Sequence, residues 1–393
     1  MKILYCIPHL YNSGGMERVL AQKVNWLTTH TTHQITILTT ETTPNGMKDS
    51  YFPLHEGIQR IALNIDFNED YSLPLLAKWW GHMRRMKAYR TLLTDYIRRE
   101  SIDLCISLGG KEIAFLSSLP CRTMVEFHFA LNHREHLLNA NHTGWVWRLL
   151  GTIRTRQLIR DARQVDTIVV LTESDKKDWQ KAGCTQVVCI PNPCSLDGQE
   201  IPIKPKQSDL PPVVLAVGRL HEQKGFDMLL DAWNNVQRDN VQCTKDWTLR
   251  IVGEGEQRKK LEQQIRDLHL TNVVLAGRVE NMVEEYAAAS LFVLSSRYEG
   301  LPLVLIEAMW CGVPCIAFDC PRGARELLED GRGVLVPNGD IEALAQAMQQ
   351  AMKNTDEIGH NAPRALTFAH QTYSEETIMQ QWERLIAPSK SSP

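Results

Sequence analysis

No apolar run in this 393-residue chain approaches the roughly 20 residues that a bilayer-spanning helix needs, so no spanning helix is expected. The ten cysteines, at positions 6, 105, 121, 184, 189, 194, 243, 311, 315 and 320, contain no C-x-x-C pair, and no histidine pair stands at zinc spacing. Each therefore reads as a small core residue, and a reduced, cytoplasmic compartment fits. There is no internal repeat and no low-complexity tract. The first strand-like residues, Met1 to Pro8, run into polar Tyr11-Asn12-Ser13-Gly14-Gly15 with no small-residue cleavage site, which argues against a signal peptide. A net charge of −3 and the lack of any recognised nucleic-acid module argue against a nucleic-acid partner.

What is present is the composition of a globular protein, 43% hydrophobic and 23% charged, with a length that favours two compact units. Short β-branched runs alternate with helical patterns, the mark of parallel sheets covered on both faces. Strands are expected at 2–7, 35–38, 102–107, 123–127, 167–171 and 187–190, with a helix carrying Met16, Val19, Leu20, Val24 and Leu27 on one stripe. Prolines 191, 193, 202, 205, 211 and 212 mark a linker. The pattern then restarts, with strands at 213–217, 249–252, 273–275, 291–294, 313–318 and 333–336 and helices from Phe226, Ile341 and Ser374. The expected fold class is α/β: two Rossmann-like domains with parallel sheets facing across a cleft. The first domain would span 1–195, a linker 196–212 and the second domain 213–365. A last helix within 370–388 would return to the first domain. Open α/β sheets bind ligands at the carboxyl ends of their strands, so the chemistry is expected there.

Two stretches carry it. After strand 291–294, Ser295-Ser296-Arg297-Tyr298-Glu299-Gly300-Leu301-Pro302 leads into a helix with Pro302 suited to its first position. Gly300 and Leu301 would open a helix start whose N–H groups and partial positive charge suit a diphosphate. With Leu301, Val304, Leu305, Ala308 and Met309 as the buried stripe, Glu307 would point elsewhere and reach a ribose diol. Glu299 would face a sugar. After strand 213–217, Gly218-Arg219-Leu220-His221-Glu222-Gln223-Lys224-Gly225 places Arg219 and Lys224 where they would neutralise a leaving diphosphate. The absence of a D-x-D triplet removes a common carboxylate clamp, and no metal or other cofactor is expected.

These pieces resemble the retaining glycosyltransferases of family 4, which have the GT-B fold. The ordered set runs from Gly14-Gly15 through Pro191-Asn192-Pro193, Gly218-Arg219-Leu220, Gln223-Lys224-Gly225 and Val252-Gly253-Glu254-Gly255 to the E-x7-E pair Glu299/Glu307 and Gly312-Val313-Pro314. The resemblance implies that Arg219 and Lys224 hold the diphosphate, Glu307 the ribose and Glu299 the transferred sugar, and that Gly14 and Gly15 approach the phosphates. It also implies that His128, after strand 123–127, stabilises charge at the reacting sugar carbon, in a front-face transfer that retains configuration without an enzyme nucleophile. The tract Phe318 to Glu326 resembles relatives that build bacterial surface polysaccharides from uridine-linked hexoses, though Arg322 and Ala324 depart from their pattern. A UDP-linked hexose or N-acetylhexosamine is the expected co-substrate, with a glycan or lipid-linked acceptor. A non-catalytic nucleotide-sugar-binding subunit and a GT-B phosphorylase remain as alternatives.

Charge is uneven: residues 1–198 sum to +4 and the remainder to −7. Residues 77–90 hold five Lys or Arg, no acid and the adjacent Trp79 and Trp80, and Trp145 and Trp147 precede Arg148, Arg154, Arg156, Arg160 and Arg163. Such stretches suit peripheral contact with an anionic membrane, on the inner face of the cytoplasmic membrane, and equally suit solvated helix faces.

Overall fold

A computed structural model describes residues 1–44, 47–65, 67, 75–131, 145–201, 211–238, 246–354 and 359–387, without the side chains of 75, 76, 145, 146 and 148. The linker prolines 202 and 205, Cys243, and the side chains of Trp145 and Arg148 therefore lie outside the description. The chain divides into two compact units, Met1–Pro191 with Gln381–Pro393, and Asn192–Gln380. The second is wider at both ends than the expected 213–365.

The first unit is a seven-stranded sheet in the order β3-β2-β1-β4-β5-β6-β7, comprising β1 (Lys2–Ile7), β2 (Gln34–Thr39), β3 (Gln59–Ala62), β4 (Leu104–Ser107), β5 (Arg122–Phe127), β6 (Thr167–Val170) and β7 (Val187–Cys189). Every pairing is parallel. Parallel sheets are covered on both faces, which is why β1 and β5 read as nearly unbroken buried runs. Its helices include α1 (Gly15–His30), α2 (Leu75–Glu100), α3 (Trp145–Ala162) and α4 (Glu173–Lys181). Cys6 and Cys105 face each other on β1 and β4 as small core residues, their thiols in hydrogen-bond contact at 3.8 Å with no disulfide between them. The expected strands are present, and β3 is an addition: an edge strand with only Ile61 half-buried.

The second unit is a six-stranded, all-parallel sheet in the order β10-β9-β8-β11-β12-β13: β8 (Val213–Val217), β9 (Thr248–Val252), β10 (Val273–Gly277), β11 (Leu291–Leu294), β12 (Cys315–Phe318) and β13 (Val334–Val336). Helices α5 (Phe226–Arg238), α6 (Arg258–Asp267), α7 (Met282–Ala288), α8 (Leu303–Trp310), α9 (Ala324–Leu328), α10 (Ile341–Lys353), α11 (Asn361–Tyr373) and α12 (Glu375–Ile386) complete it, α12 running on into the first unit's segment. In α5 the stripe Phe226, Leu229, Leu230, Trp233 and Val236 is buried, as the spacing predicts. Strand order reverses between β1 and β4 in one sheet and between β8 and β11 in the other. Those reversals are the switch points at whose carboxyl edges open sheets hold ligands.

Candidate functional site

Both sequence-predicted stretches of the second unit leave its switch point, one after β8 and the other after β11. Gly225 adopts a left-handed conformation, φ 62°, and a Cβ there would overlap the carbonyl oxygen of Ser295. Only glycine permits that approach, which brings the loop after β8 against the end of β11. Side chains and backbone then staple the two loops together. Ser295 Oγ donates to the Lys224 carbonyl at 3.0 Å, the Arg297 amide to the Gln223 carbonyl at 2.8 Å, and Gln223 Nε2 to the Tyr298 carbonyl at 3.0 Å. Arg297 grips Asp227 with two hydrogen bonds of 2.8 and 2.6 Å and donates a third to the Glu222 carbonyl. Burial alone would raise the Asp227 pKa, but Arg297 overcomes it and holds the group below its ordinary value.

The stapled loops hold Lys224 Nζ 2.7 Å from Glu299 Oε1, which also accepts from Ser296 Oγ at 2.6 Å. Glu299 is buried, while Lys224 retains partial access to solvent. Arg219 is exposed on the same loop. Burial raises the Tyr298 pKa, Glu222 and Glu299 add to the rise, and Arg219 opposes it. Gly300 is half-buried and Leu301 buried, and Gly323 lies so close that a Cβ would overlap the Gly300 carbonyl.

Two expectations need correction. Pro302 is the residue before α8, not its first helical position, and no side chain caps the helix. Glu307 does not stand off the buried stripe: α8 is buried from Leu305 to Trp310, and Glu307 is only 2% exposed. From Leu305 onward the helix has no solvent face to offer. The carboxylate is instead satisfied inside, accepting from Tyr286 Oη at 2.7 Å and Ser195 Oγ at 2.6 Å. Sequence reasoning missed both partners, and Ser195, 112 positions away, left no local signal.

In the first unit Gly14 precedes α1 and Gly15 opens it. The Glu17 carboxylate folds back over Gly14, where a Cβ would overlap it, and stands 3.3 Å from His9 Nδ1. His9 stacks on Tyr11, whose hydroxyl donates to Glu41 at 3.1 Å. A cavity of about 690 Å³ opens at the carboxyl ends of β1, β2 and β4, bounded by Glu41, Gly110 and Lys111 and by Tyr89 of α2 and Arg154 and Gln157 of α3. His128 follows β5, with Nε2 at 3.2 Å from Glu126 Oε1. The sequence pointed to Gly14, Gly15 and His128 but not to His9, Glu17, Glu41 or Glu126. Glu17, directly after Gly14-Gly15-Met16, was the readable signal.

Residues 211–354 match the family of group 1 glycosyl transferases. An uncharacterized glycosyltransferase of Haemophilus influenzae is 27% identical over 391 residues, 98% of this chain and 99% of its own length. An N-acetylgalactosaminyltransferase of Campylobacter jejuni that extends an undecaprenol-pyrophosphate-linked glycan is 28% identical over 397 residues, covering both chains fully. Among solved structures, Anabaena HepE in complex with UDP superposes with a TM-score of 0.70 at 20% identity, over 98% of this chain and 99% of that one. Two parallel Rossmann-like sheets, the loops at the second sheet's switch point and these matches agree: the fold is GT-B, the enzyme is a glycosyltransferase, and the stretch similar to the group 1 family lies within the second unit.

Proposed function

We propose that this enzyme is a retaining, metal-independent transferase that moves a hexose or N-acetylhexosamine from a UDP-linked donor to a hydroxyl of a glycan or lipid-linked acceptor, in cell-surface polysaccharide or glycolipid assembly. The observation that carries the reading is the Lys224–Glu299 pair, 2.7 Å apart at the switch point, with Arg219 exposed on the same loop as Lys224. The two cations bind the diphosphate and stabilise the charge that grows on it as the glycosidic bond breaks, the work a metal does elsewhere. Gly14 and Gly15 at the start of α1, and Gly300 and Leu301 ahead of uncapped α8, add backbone N–H groups. Arrival of the donor draws Lys224 toward phosphate and frees Glu299 for the sugar hydroxyls. Each carboxylate oxygen has two lone pairs, so Glu307 accepts from a ribose diol while keeping Tyr286 and Ser195. The acceptor hydroxyl attacks from the face the diphosphate leaves, its proton passing to the departing phosphate, so configuration is retained. His128 faces the reacting carbon. UDP as the carrier is supported by the Anabaena neighbour, and a lipid-linked glycan acceptor by the Campylobacter relative.

The acceptor side works at the inner face of the cytoplasmic membrane. Of the twelve exposed large hydrophobic residues among those described, eight lie on α2 and α3, led by Trp79 and Trp80 at 55% and 67% exposure. They are interleaved with Lys78, Arg84, Lys87 and Arg90, a combination suited to an anionic bilayer. A thermal-shift series with UDP-, GDP- and ADP-sugars tests the donor, since a ligand that binds only the native state raises its melting temperature. A rise confined to UDP-hexoses is expected. Full transfer activity in both Lys224→Ala and Glu299→Ala would end the reading.

A further inference from the structure

Three ionisable side chains meet inside the first unit. Lys23 on α1 and Glu126 on β5 are each 1% exposed, with Lys23 Nζ 2.5 Å from Glu126 Oε2. The other carboxylate oxygen lies 3.2 Å from His128 Nε2. The ammonium also sits 3.8 Å from the ring centre of Trp382 on α12 and 5.7 Å from that of Tyr5 on β1, so two aromatic faces take the place of its water. Burial alone would raise the Glu126 pKa, but Lys23 and His128 together bring it down to about 2, so it stays a carboxylate at neutral pH.

Burying two charges costs several kcal/mol per ion, and well-packed apolar residues usually serve stability as well or better. Here Glu126 stands two residues before the histidine assigned to the reacting sugar, and its carboxylate divides between Lys23 and that ring. We propose that Lys23 and Glu126 are positioning residues for His128: the lysine pins the carboxylate, and the carboxylate fixes the ring's hydrogen on Nε2 and leaves Nδ1 to meet the sugar. The His128–Glu126 contact lacks hydrogen-bond alignment. Such bonds are commonly misaligned before substrate arrives and tighten around it. Trp382 ties the end of the chain to the same relay.

This inference rests on the role given to His128, and the tests separate the two. Ring ¹⁵N spectra of the unmodified protein should show a hydrogen on His128 Nε2, and a neutral ring carrying it on Nδ1 overturns the relay whatever the enzyme transfers. Lys23→Met combined with Glu126→Gln removes both charges while roughly conserving volume, so the fold should survive. Transfer by this double variant should lose about tenfold or more in kcat with little change in donor KM, a share of the factor a well-placed acid–base group supplies. In a His128→Ala background the same pair should cost nothing further. A folded double variant with kcat within about twofold of the parent, or a loss that multiplies undiminished onto His128→Ala, refutes positioning through His128. The transferase reading stands or falls separately, on Lys224→Ala and Glu299→Ala.

Discussion

The ion pairs of the two units solve opposite problems. In the second unit Lys224 keeps partial solvent access and Arg219 is exposed, so their charge is on offer to a ligand. In the first, Lys23 and Glu126 are sealed from solvent and spend their charge on each other and on His128. The Lys224–Glu299 pair, at 19% and 7% exposure, is less deeply buried than Lys23–Glu126, at 2% and 1%, so losing a partner there should cost less, whereas removing one partner of a fully buried pair strands a charge and typically costs about 3–5 kcal/mol. The lesson is a difference in stability cost: the Lys224–Glu299 site should lose activity with little loss of fold, whereas changes at Lys23 or Glu126 should cost stability as well as the catalytic contribution made through His128.

The largest expected effect tests the first half of that difference. Lys224→Ala or Glu299→Ala should reduce transfer by about 10³-fold, the scale of losing a preorganised group at developing charge, with the melting temperature shifted by only a few degrees. Glu126→Ala should instead show its largest effect on the fold, lowering unfolding free energy by about 3–5 kcal/mol in urea titration. Equal stability losses at the two sites would break the comparison.

That contrast also tracks what the sequence made legible. Strand positions followed from β-branched runs, because both faces of a parallel sheet are buried and no polar alternation interrupts them. β3 escaped because Gln59-Arg60-Ile61-Ala62 is an edge strand with three of its four residues exposed. The loops after β8 and β11 were readable because their chemistry lies in contiguous residues. The buried relay was not, since its members come from α1, β5 and α12. One clue stood in the open: Lys23 lies four residues from both Val19 and Leu27, on the very stripe predicted to be buried. A lysine there needs an anion beside it, and Glu126, inside a strand with no exposed face, is the matching half. Glu307 misled for a related reason, as a polar residue on a short helix reads as outward-facing until the polar partners it reaches from elsewhere are known.

A smaller effect sharpens the comparison through pH. Glu126 titrates near 2 in the folded protein against an ordinary 4.5, so its contribution is complete above about pH 4.5 and is lost as pH falls toward 2. The difference corresponds to about 3 kcal/mol. Unfolding followed between pH 5 and 2 should therefore show a shallower decline for the Lys23→Met/Glu126→Gln pair than for the parent. Parallel curves for the relay variant and the parent would mean that Glu126 gains nothing from its neighbours.

Backbone geometry predicts a loss of about 1–2 kcal/mol or more for Gly225→Ala, from its left-handed φ of 62° and the overlap with the Ser295 carbonyl. Because that glycine seats Lys224 against Glu299, donor KM should rise along with the fall in melting temperature. A stability loss with donor binding unchanged would separate the staple from the site it is argued to build.

The mildest change to the enzyme itself should come from Trp79→Ser with Trp80→Ser. Both side chains are more than half exposed, so their removal takes little from the core, and surface substitutions of this kind stay within about 0.5 kcal/mol. Transfer to a water-soluble acceptor should match the parent. Co-sedimentation with vesicles containing an anionic phospholipid should fall, because two aromatic anchors are gone while the basic residues of α2 remain. Added salt should weaken what binding is left, since the remaining attraction is electrostatic and screened within roughly 10 Å at 0.1 M. Undiminished vesicle binding by the variant would return these tryptophans to the role of ordinary exposed residues, and with it the first unit's claim to a membrane-facing surface.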